Sequence, residues 1–368
     1  MSNVYEEVDI AQRWEPTPRF IEVMRFFLLP DKLQKLLQRR TRSANTKVRN
    51  RKKLLVSTIL PAFSVHAGIP LLPKQKAIVA KLKARKVASG RRDYHTVHFI
   101  EGMGYKYLQT VQPQVSICEA RAHHYMHYQK KVPPHLDYPE LNVEKINASD
   151  LDFEYANADK ILVYSEASKR SFEQNGVPSH KILVCPLPLK TFPPRPNQAR
   201  KPHQFAFVGR SDPAKGLDLA VATVKQLGPP YTLTIAGPLS QAVQTWLKQY
   251  DFVEYLGILT ASELRDLYSS SKVYLAPSQE SFGLAAAEAA YYGCHLVCSD
   301  WVGIAEYLPS SCVSIVPGRN EKAWALEAKR AISKEGDPNY DLVDAAFQYL
   351  STDAVAKKLE TIYRSLTR

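Results

Sequence analysis

The sequence of 368 residues lacks several features that would assign it to a broad class of protein. It has no run of apolar residues long enough for a membrane-spanning helix, so none is expected. Its first residues lack the basic and apolar pattern of a signal peptide, which predicts a cytoplasmic protein. The dinucleotide fingerprint Gly-x-Gly-x-x-Gly is also absent, which argues against a nicotinamide-dependent enzyme.

Cysteine is scarce, and its number is odd. Most cysteines lie in apolar, strand-like runs, which predicts buried free thiols in a reducing compartment. The segment Cys294-His295-Leu-Val-Cys298 has no second cluster of metal ligands, so we expect no metal there. The five cysteines are Cys118, Cys185, Cys294, Cys298 and Cys312.

In the first half, acidic residues are too few to balance the basic ones. Residues 1–201 hold 34 Lys and Arg against 18 Asp and Glu, whereas residues 202–368 hold 15 against 18. The net charge of +13 therefore arises in the first half, mainly in residues 39–53 and 74–92. Such a surface suits an anionic membrane, a phosphorylated lipid or polymer, or nucleic acid. Nucleic acid is the least favoured of these, because interleaved aromatics and an RNA-binding motif are missing.

Short apolar strands alternate with helical segments from about residue 53 onwards. This alternation predicts an α/β protein with two Rossmann-like, doubly wound domains facing a cleft. We expect a domain over 1–192 with an atypical basic first 50 residues, and a Pro-rich linker over 193–202. A second domain is expected over 203–350, and a helix over 351–368 that packs back across the cleft.

Two carboxylates eight positions apart, Glu280 and Glu288, form the most informative motif. The run 273–277 predicts a buried strand, and 285–292 predicts a helix because Ala and Leu favour helices. A strand end, a loop with Gly283 and a helix N-terminus together make an anion site. Carboxylates beside that site would accept hydrogen bonds from the neutral hydroxyls of a sugar and a ribose.

Two cations lie in the loop after another predicted strand, Phe205 to Val208. Gly209 ends this strand and Gly216 opens the next helix, with Arg210 and Lys215 between them. Two positive charges at one strand end suit a diphosphate.

In this order and spacing, the motifs resemble the C-terminal half of the group-one, family-four glycosyltransferases of GT-B fold. Glu280 and Glu288 correspond to the E-x7-E signature of that family. Residues 154–165 and 176–182 resemble the segment before the family's linker, so the similarity covers about half of the chain. The other matching residues are Phe207 to Arg210, Lys215-Gly216, Leu256-Gly257, Leu267-Tyr268, Pro277-Ser278, Gly293, Gly303 and Glu306.

The resemblance implies a retaining hexosyltransferase that uses a nucleoside-diphosphate sugar and a saccharide or lipid-linked acceptor. Arg210 and Lys215 would bind the pyrophosphate and stabilise the leaving group, where charge develops in the transition state. Glu280 would hold the donor sugar and Glu288 the ribose. No cofactor, metal or covalent nucleophile is expected. The rest of the implied donor site is Gly209 and the backbone N–H groups of Phe282, Gly283 and Leu284.

The first half resembles the family less closely. Its nearest match to the family's Gly-rich loop is Ser64 to Gly68, and Pro188-Leu189-Lys190 replaces the usual Gly-Val-Asp before the linker. After the strand that ends near Cys118, the family often places a donor-site histidine. His123 is the first choice for it and His124 the second, with Arg121 as a phosphate contact.

Two other functions stay open at this point. One is a GT-B nucleotide-sugar epimerase, and the other is a non-catalytic binder of an anionic polymer or membrane. The cations and carboxylates of the second half favour transfer, because together they form a donor site. The basic N-terminal half suggests peripheral association with an anionic membrane that carries the acceptor.

Overall fold

The computed structural model describes residues 96–109, 113–131, 148–336 and 340–366. The expectations for residues 1–95, including both basic stretches and the Ser64 to Gly68 loop, lie outside the described residues. All the described elements belong to one compact unit.

In the part of the chain that the structure describes, the first sheet has four parallel strands in the order β1-β2-β3-β4. Apolar residues on β2 and β3, among them Ile117 and Ile161, are fully buried between helices on the two faces. We call this sheet and its flanking helices the first lobe. Its strands are β1 (Thr96–Ile100), β2 (Val115–Glu119), β3 (Lys160–Val163) and β4 (Ile182–Val184), and its helices are α1 (Tyr105–Leu108), α2 (Tyr125–Lys131), α3 (Ala148–Asn157) and α4 (Glu166–Glu173).

The second sheet has six parallel strands in the order β10-β9-β8-β5-β6-β7. The chain enters at β5, builds outward to β7, and then crosses to the other side of β5. The switch point lies between β5 and β8, where ligands bind in open α/β sheets. The strands are β5 (Lys201–Val208), β6 (Thr232–Ala236), β7 (Val253–Tyr255), β8 (Ser271–Ala276), β9 (His295–Cys298) and β10 (Val313–Ile315).

Helices cover both faces of the second sheet, and we call the whole the second lobe. Successive residues of β8 pack into opposite cores: Val273 joins Phe205 and Trp324, whereas Tyr274 joins Ala206 and Leu296. The helices are α5 (Leu217–Leu227), α6 (Gln241–Leu247), α7 (Ala261–Ser270), α8 (Leu284–Tyr291), α9 (Glu321–Ile332) and α10 (Tyr340–Tyr349). The mixed α/β architecture expected from the sequence is confirmed.

The chain returns to the first lobe after the second sheet. The backbone N–H of Leu189 donates to the Leu350 carbonyl at 2.8 Å, where the two crossing segments meet. The last helix, α11 (Thr352–Leu366), then packs Val355 and neighbouring apolar residues against Ile117 and Leu162 of the first sheet.

The predicted linker is tied to the second lobe. The guanidinium of Arg195 pairs with Asp344 and donates to the Tyr291 carbonyl, and Arg200 donates to the carbonyls of Ser271 and Tyr292. Strand β5 begins at Lys201, so the last two residues of the 193–202 stretch belong to the sheet.

All five cysteines are buried and free, as expected. Within the described ranges, no group of three or more His, Cys, Asp or Glu residues is arranged to hold a metal ion. A helix with the length and apolar character needed to cross a bilayer was likewise not found in those ranges.

Candidate active site

Lys215 is placed by a short turn at the carboxyl end of β5. The turn is a 3₁₀ helix, Pro213–Lys215, and the Asp212 carboxylate caps it by accepting the Ala214 N–H at 2.9 Å. Gly216 follows with φ of 69°, and a Cβ there would lie 2.5 Å from the Pro277 carbonyl oxygen. The loops after β5 and β8 can approach this closely because the residue at 216 is a glycine.

The two loops carry charges that meet at the switch point. The Lys215 ammonium lies 3.0 Å from a carboxylate oxygen of Glu280, and their side chains are 24% and 22% exposed. The Gln279 N–H also donates to the Ala214 carbonyl at 2.8 Å, which fixes one loop against the other. The structure therefore brings together Lys215 and Glu280, which the sequence placed on separate motifs.

The loop after β9 holds the backbone of Glu280 on both sides. The Glu280 N–H donates to the Trp301 carbonyl at 3.0 Å, and the Gly303 N–H donates to the Glu280 carbonyl at 3.1 Å. A side chain at Gly303 would collide with the Ser281 carbonyl oxygen. Glu280 is thus held by a short parallel bridge rather than by a mobile surface loop.

Helix α8 begins with an open N-terminus. Gly283 precedes it with φ of 96°, no side chain of the described residues caps its first turn, and that turn carries no acidic residue. Unsatisfied N–H groups at such a helix end attract anions. The Phe282 side chain is buried in the core, whereas Leu284 at the start of the helix is exposed.

Glu288 lies one turn further along α8 and is half-buried. Burial raises the pKa of its carboxyl above the usual value, and the charge of Lys190 acts in the opposite direction. Within the described ranges, its carboxylate has neither a hydrogen bond nor an ion pair. A desolvated carboxylate without partners is costly in a folded protein and suits a hydroxyl-bearing ligand.

Arg210 is the most exposed of the predicted donor-site residues after β5. Its side chain is 69% exposed and lies 3.5 Å from the Asp212 carboxylate. The preceding Gly209 donates its N–H to the Ala236 carbonyl. A side chain at the neighbouring Gly237 would collide with the Gly209 carbonyl oxygen. The ends of β5 and β6 are therefore closely packed, and the Arg210 guanidinium extends from them into solvent.

His123 lies where the two lobes meet. Its ring is buried, and Nε2 donates to the Trp301 carbonyl at 2.9 Å. Burial lowers the pKa of His123 to about 3, so the ring is neutral at physiological pH. Its Nδ1 is buried without a hydrogen-bond partner in the described part of the chain. The Trp301 carbonyl therefore accepts hydrogen bonds from both the His123 ring and the Glu280 backbone N–H.

The other two first-lobe candidates have different surroundings. His124 packs against Tyr155 and Phe172 of the first lobe. Arg121 has an exposed side chain, and its backbone carbonyl accepts the Ser281 hydroxyl at 2.6 Å. The structure thus places the backbone of Arg121 beside the loop after β8 and the His124 side chain in the core of the first lobe.

Further bonds join the lobes, and we call this contact region the junction. It consists of residues 121–128 and 165–170 of the first lobe and 279–281 and 300–306 of the second. The Glu306 carboxylate accepts the N–H groups of Glu166 and Ala167 at 2.8 and 2.6 Å, at the N-terminus of α4. The Ser165 hydroxyl donates to the Ser281 carbonyl at 2.7 Å. The carboxyl ends of both sheets therefore face one another.

The sequence did not single out three junction residues. His127 Nε2 lies 2.7 Å from Gln279 Oε1, and the Tyr128 hydroxyl lies 3.4 Å from the Gln279 carbonyl oxygen. The dense run of His and Tyr after β2 was a visible signal. Its contacts with Gln279 were not visible, because the two segments are far apart in the chain.

Comparisons with known proteins agree with this geometry. Residues 190–347 match the family model described as glycosyl transferases group 1. The gpi3 subunit of phosphatidylinositol N-acetylglucosaminyltransferase from Schizosaccharomyces pombe is 28% identical over 173 residues, which is 44% of this chain and 38% of that protein. Glycogen synthase from Mycobacterium tuberculosis is 30% identical over 173 residues, covering 43% and 41%. The chain thus spans about two-fifths of the curated relatives that it matches.

A solved structure agrees over a larger share of the chain. Sucrose-phosphate synthase from Thermosynechococcus elongatus, with 20% sequence identity, superposes with a TM-score of 0.60 and 81% coverage of each chain. At this identity the likeness establishes the fold, which is GT-B. Residues 190–347 therefore match the glycosyl transferases group 1 family, and most of this range lies in the second lobe of a GT-B fold.

Proposed function

We propose that this protein is a glycosyltransferase that moves a hexose from a nucleoside-diphosphate sugar to an acceptor, with retention of anomeric configuration. The observation that carries the proposal is the Lys215–Glu280 pair at the switch point of the second sheet. Glu280 lies in the loop after β8, which leads directly into the open N-terminus of α8. Cation, carboxylate and helix N-terminus are the groups that a sugar diphosphate requires.

Each group has a role set by its chemistry. Lys215 and Arg210 neutralise the diphosphate, and Lys215 stabilises the charge that grows on it as the glycosidic bond breaks. The N–H groups at Gly283 and Leu284 add hydrogen bonds to the same charge. Glu280 accepts hydrogen bonds from hydroxyls of the sugar, and Glu288 accepts them from the ribose.

Catalysis in this scheme rests on positioning and on leaving-group stabilisation. The neutral ring of His123 carries no charge that would compete with the diphosphate. Its buried Nδ1 is a hydrogen-bond acceptor, and we assign it to a hydroxyl group of the nucleoside-diphosphate sugar. No covalent intermediate and no metal are required by these roles.

The acceptor is proposed to be a saccharide or a lipid-linked molecule. The named relatives act on both kinds of molecule: one is a phosphatidylinositol N-acetylglucosaminyltransferase subunit and another a glycogen synthase. The excess of Lys and Arg in residues 1–201 favours an acceptor at an anionic membrane. Retention of the protein by acidic liposomes at low salt, and its release at high salt, would support that acceptor class.

Calorimetry with a panel of UDP-, GDP- and ADP-sugars tests the proposal. We expect at least one to bind, and binding to be lost in Arg210→Ala and in Glu288→Ala. The matched controls are Lys322→Ala and Glu335→Ala, because both residues are exposed charges elsewhere on the second lobe. If the folded protein binds none of the panel, the proposal is wrong. An altered sugar without transfer to an acceptor would indicate an epimerase instead.

A further inference from the structure

Gln279, the residue before Glu280, forms hydrogen bonds with both lobes. Its N–H donates to the Ala214 carbonyl at 2.8 Å, in the turn that carries Lys215. Its side-chain oxygen lies 2.7 Å from His127 Nε2, and its carbonyl accepts the Tyr128 hydroxyl. A single residue therefore links the Lys215 turn, the Glu280 loop and helix α2 of the first lobe.

Helix α2 presents these two side chains in a restricted geometry. The His127 ring is buried and lies 4.1 Å, centre to centre, from the ring of Trp301. Because the amide oxygen of Gln279 has no proton, the bond requires the His127 proton to be on Nε2. The Tyr128 hydroxyl also accepts the backbone N–H of His123 at 3.3 Å. These contacts leave neither side chain room to change rotamer without breaking a bond.

We propose that His127 and Tyr128 are positioning residues for the donor sugar. They act through Gln279. Because Gln279 directly precedes Glu280, holding its backbone and side chain fixes the position of the Glu280 backbone, from which the carboxylate extends. The inference rests on the proposed function, in which Glu280 holds the sugar. It adds that the first lobe, and not the second lobe alone, sets where that carboxylate lies.

The proposal predicts a difference between two ligands. A nucleoside diphosphate without its sugar uses Arg210, Lys215, Glu288 and the N-terminus of α8, which the second lobe supplies. A nucleoside-diphosphate sugar also uses Glu280. Loss of the α2 contacts should therefore weaken binding of the sugar nucleotide and spare binding of the diphosphate.

The test is calorimetry of His127→Leu with the donor that binds the wild-type protein, and with the corresponding nucleoside diphosphate. We expect the affinity for the sugar nucleotide to fall by about fivefold, the effect of one lost hydrogen bond. Affinity for the diphosphate should stay within about twofold. His127→Gln keeps an N–H donor of similar reach and should restore most of the sugar-nucleotide affinity.

Two further comparisons separate positioning from a general effect on the fold. Tyr128→Phe should weaken sugar-nucleotide binding, whereas Tyr125→Phe should not, because the Tyr125 hydroxyl donates to Asp152 within the first lobe. The double variant His127→Leu, Gln279→Leu should lose less than the sum of the two single variants, because both remove one bond.

Three results would overturn the inference. If His127→Leu lost affinity equally for both ligands and had a lower melting temperature, His127 would have a structural role only. Unchanged sugar-nucleotide affinity in His127→Leu would show that the bond does not position Glu280. Absence of any nucleotide binding by the wild-type protein would overturn the proposed function as well, and the wild-type measurement alone shows which case applies.

Discussion

In the first lobe, the Glu154 carboxylate accepts the backbone N–H groups of Gly102, Gly104 and Tyr105 at 2.6 to 2.7 Å. In the second lobe, Glu288 is half-buried and has no such partner in the described part of the chain. Both carboxyls have a pKa raised by burial. Among the described residues, the first carboxylate is satisfied and the second is not, which fits a structural role for Glu154 and the proposed binding role for Glu288.

The same contrast holds for the carboxylates at the strand ends. Glu101, which follows β1, accepts the Tyr155 hydroxyl and the Arg121 N–H, both at 2.9 Å. Glu280, which follows β8, pairs with the side chain of Lys215, a residue that is itself assigned to the ligand. The first lobe therefore uses its charges to build rigid loops, whereas the proposed function assigns these charges of the second lobe to a substrate.

The largest effect is expected at Lys215. Lys215→Met keeps the length of the side chain but removes the charge that stabilises the leaving diphosphate. We expect the turnover of the bound donor to fall by about 100- to 1,000-fold. The partly exposed ion pair adds little stability, so the melting temperature should change little. Steady-state assays of donor consumption measure this, with Lys322→Met as the control. Normal turnover in Lys215→Met would remove this residue from catalysis.

Glu154→Gln should lower the stability of the protein and leave ligand binding unchanged, which is the opposite of the result expected for Lys215→Met. An amide places its N–H₂ group against a backbone N–H, so at least one buried donor loses its partner. We expect the free energy of unfolding to fall by about 2–3 kcal/mol. Affinity for the nucleoside diphosphate should be unchanged, because the residues proposed to bind it lie on the second lobe.

Urea denaturation and calorimetry on the same samples test the Glu154→Gln prediction. The control is Glu173→Gln, since Glu173 is exposed and its removal should cost at most about 0.5 kcal/mol. A stable Glu154→Gln variant would contradict the structural role.

Glu288→Gln sharpens the comparison from the second lobe. We expect the donor affinity to fall by about tenfold, because the ribose loses hydrogen bonds to a charged acceptor. The free energy of unfolding should stay the same or rise, since a desolvated charge without a partner is removed. A loss of stability as large as that of Glu154→Gln would contradict the assignment of Glu288 to a ligand.

The smallest effect concerns pH. The pKa of Glu288 is raised above 4.5 by burial, so the folded state binds its proton more tightly than the unfolded state. Relative to Glu288→Gln, the wild-type protein should become less stable as pH rises from 4.5 through that raised pKa.

Glu119 of the first lobe has the opposite sign. Hydrogen bonds from His98 and Tyr164 hold the pKa of its carboxyl below 4.5. Relative to Glu119→Gln, the wild-type protein should lose stability as pH falls from 4.5 through that lowered pKa. Urea denaturation from about pH 3.5 to about pH 6.5 measures both slopes. If the free energy of unfolding, relative to each Gln variant, changed with pH in the same direction for Glu288 and Glu119, the contrast between the two carboxylates would be contradicted.

Much of the second lobe followed from local sequence. The apolar runs before Gly209 and Pro277 became β5 and β8, and the Ala-rich run became α8. Thr260 caps α7 in a capping box with Glu263. Such features depend on neighbours in the chain, so a single sequence suffices to predict them.

Contacts between distant segments were not accessible in this way. The sequence placed Arg210 and Lys215 together, yet the structure brings Lys215 to Glu280 and leaves Arg210 exposed. It ranked His124 next to His123 as a donor-site residue, yet His124 packs in the first lobe. The direction of each side chain after a strand depends on which loop lies opposite, and periodicity carries no information about that.

By itself, the sequence determined the α/β class, the buried thiols, the carboxylate motif and the glycine at 216, because propensity, hydrophobic alternation and steric limits act locally. Tertiary structure alone decided that Gln279 joins both lobes and that backbone N–H groups satisfy the Glu154 carboxylate. It also decided that the Glu288 carboxylate has no such partners among the described residues. The physical reason is that a polar group becomes structural or available only when the rest of the fold has satisfied it or left it without a partner.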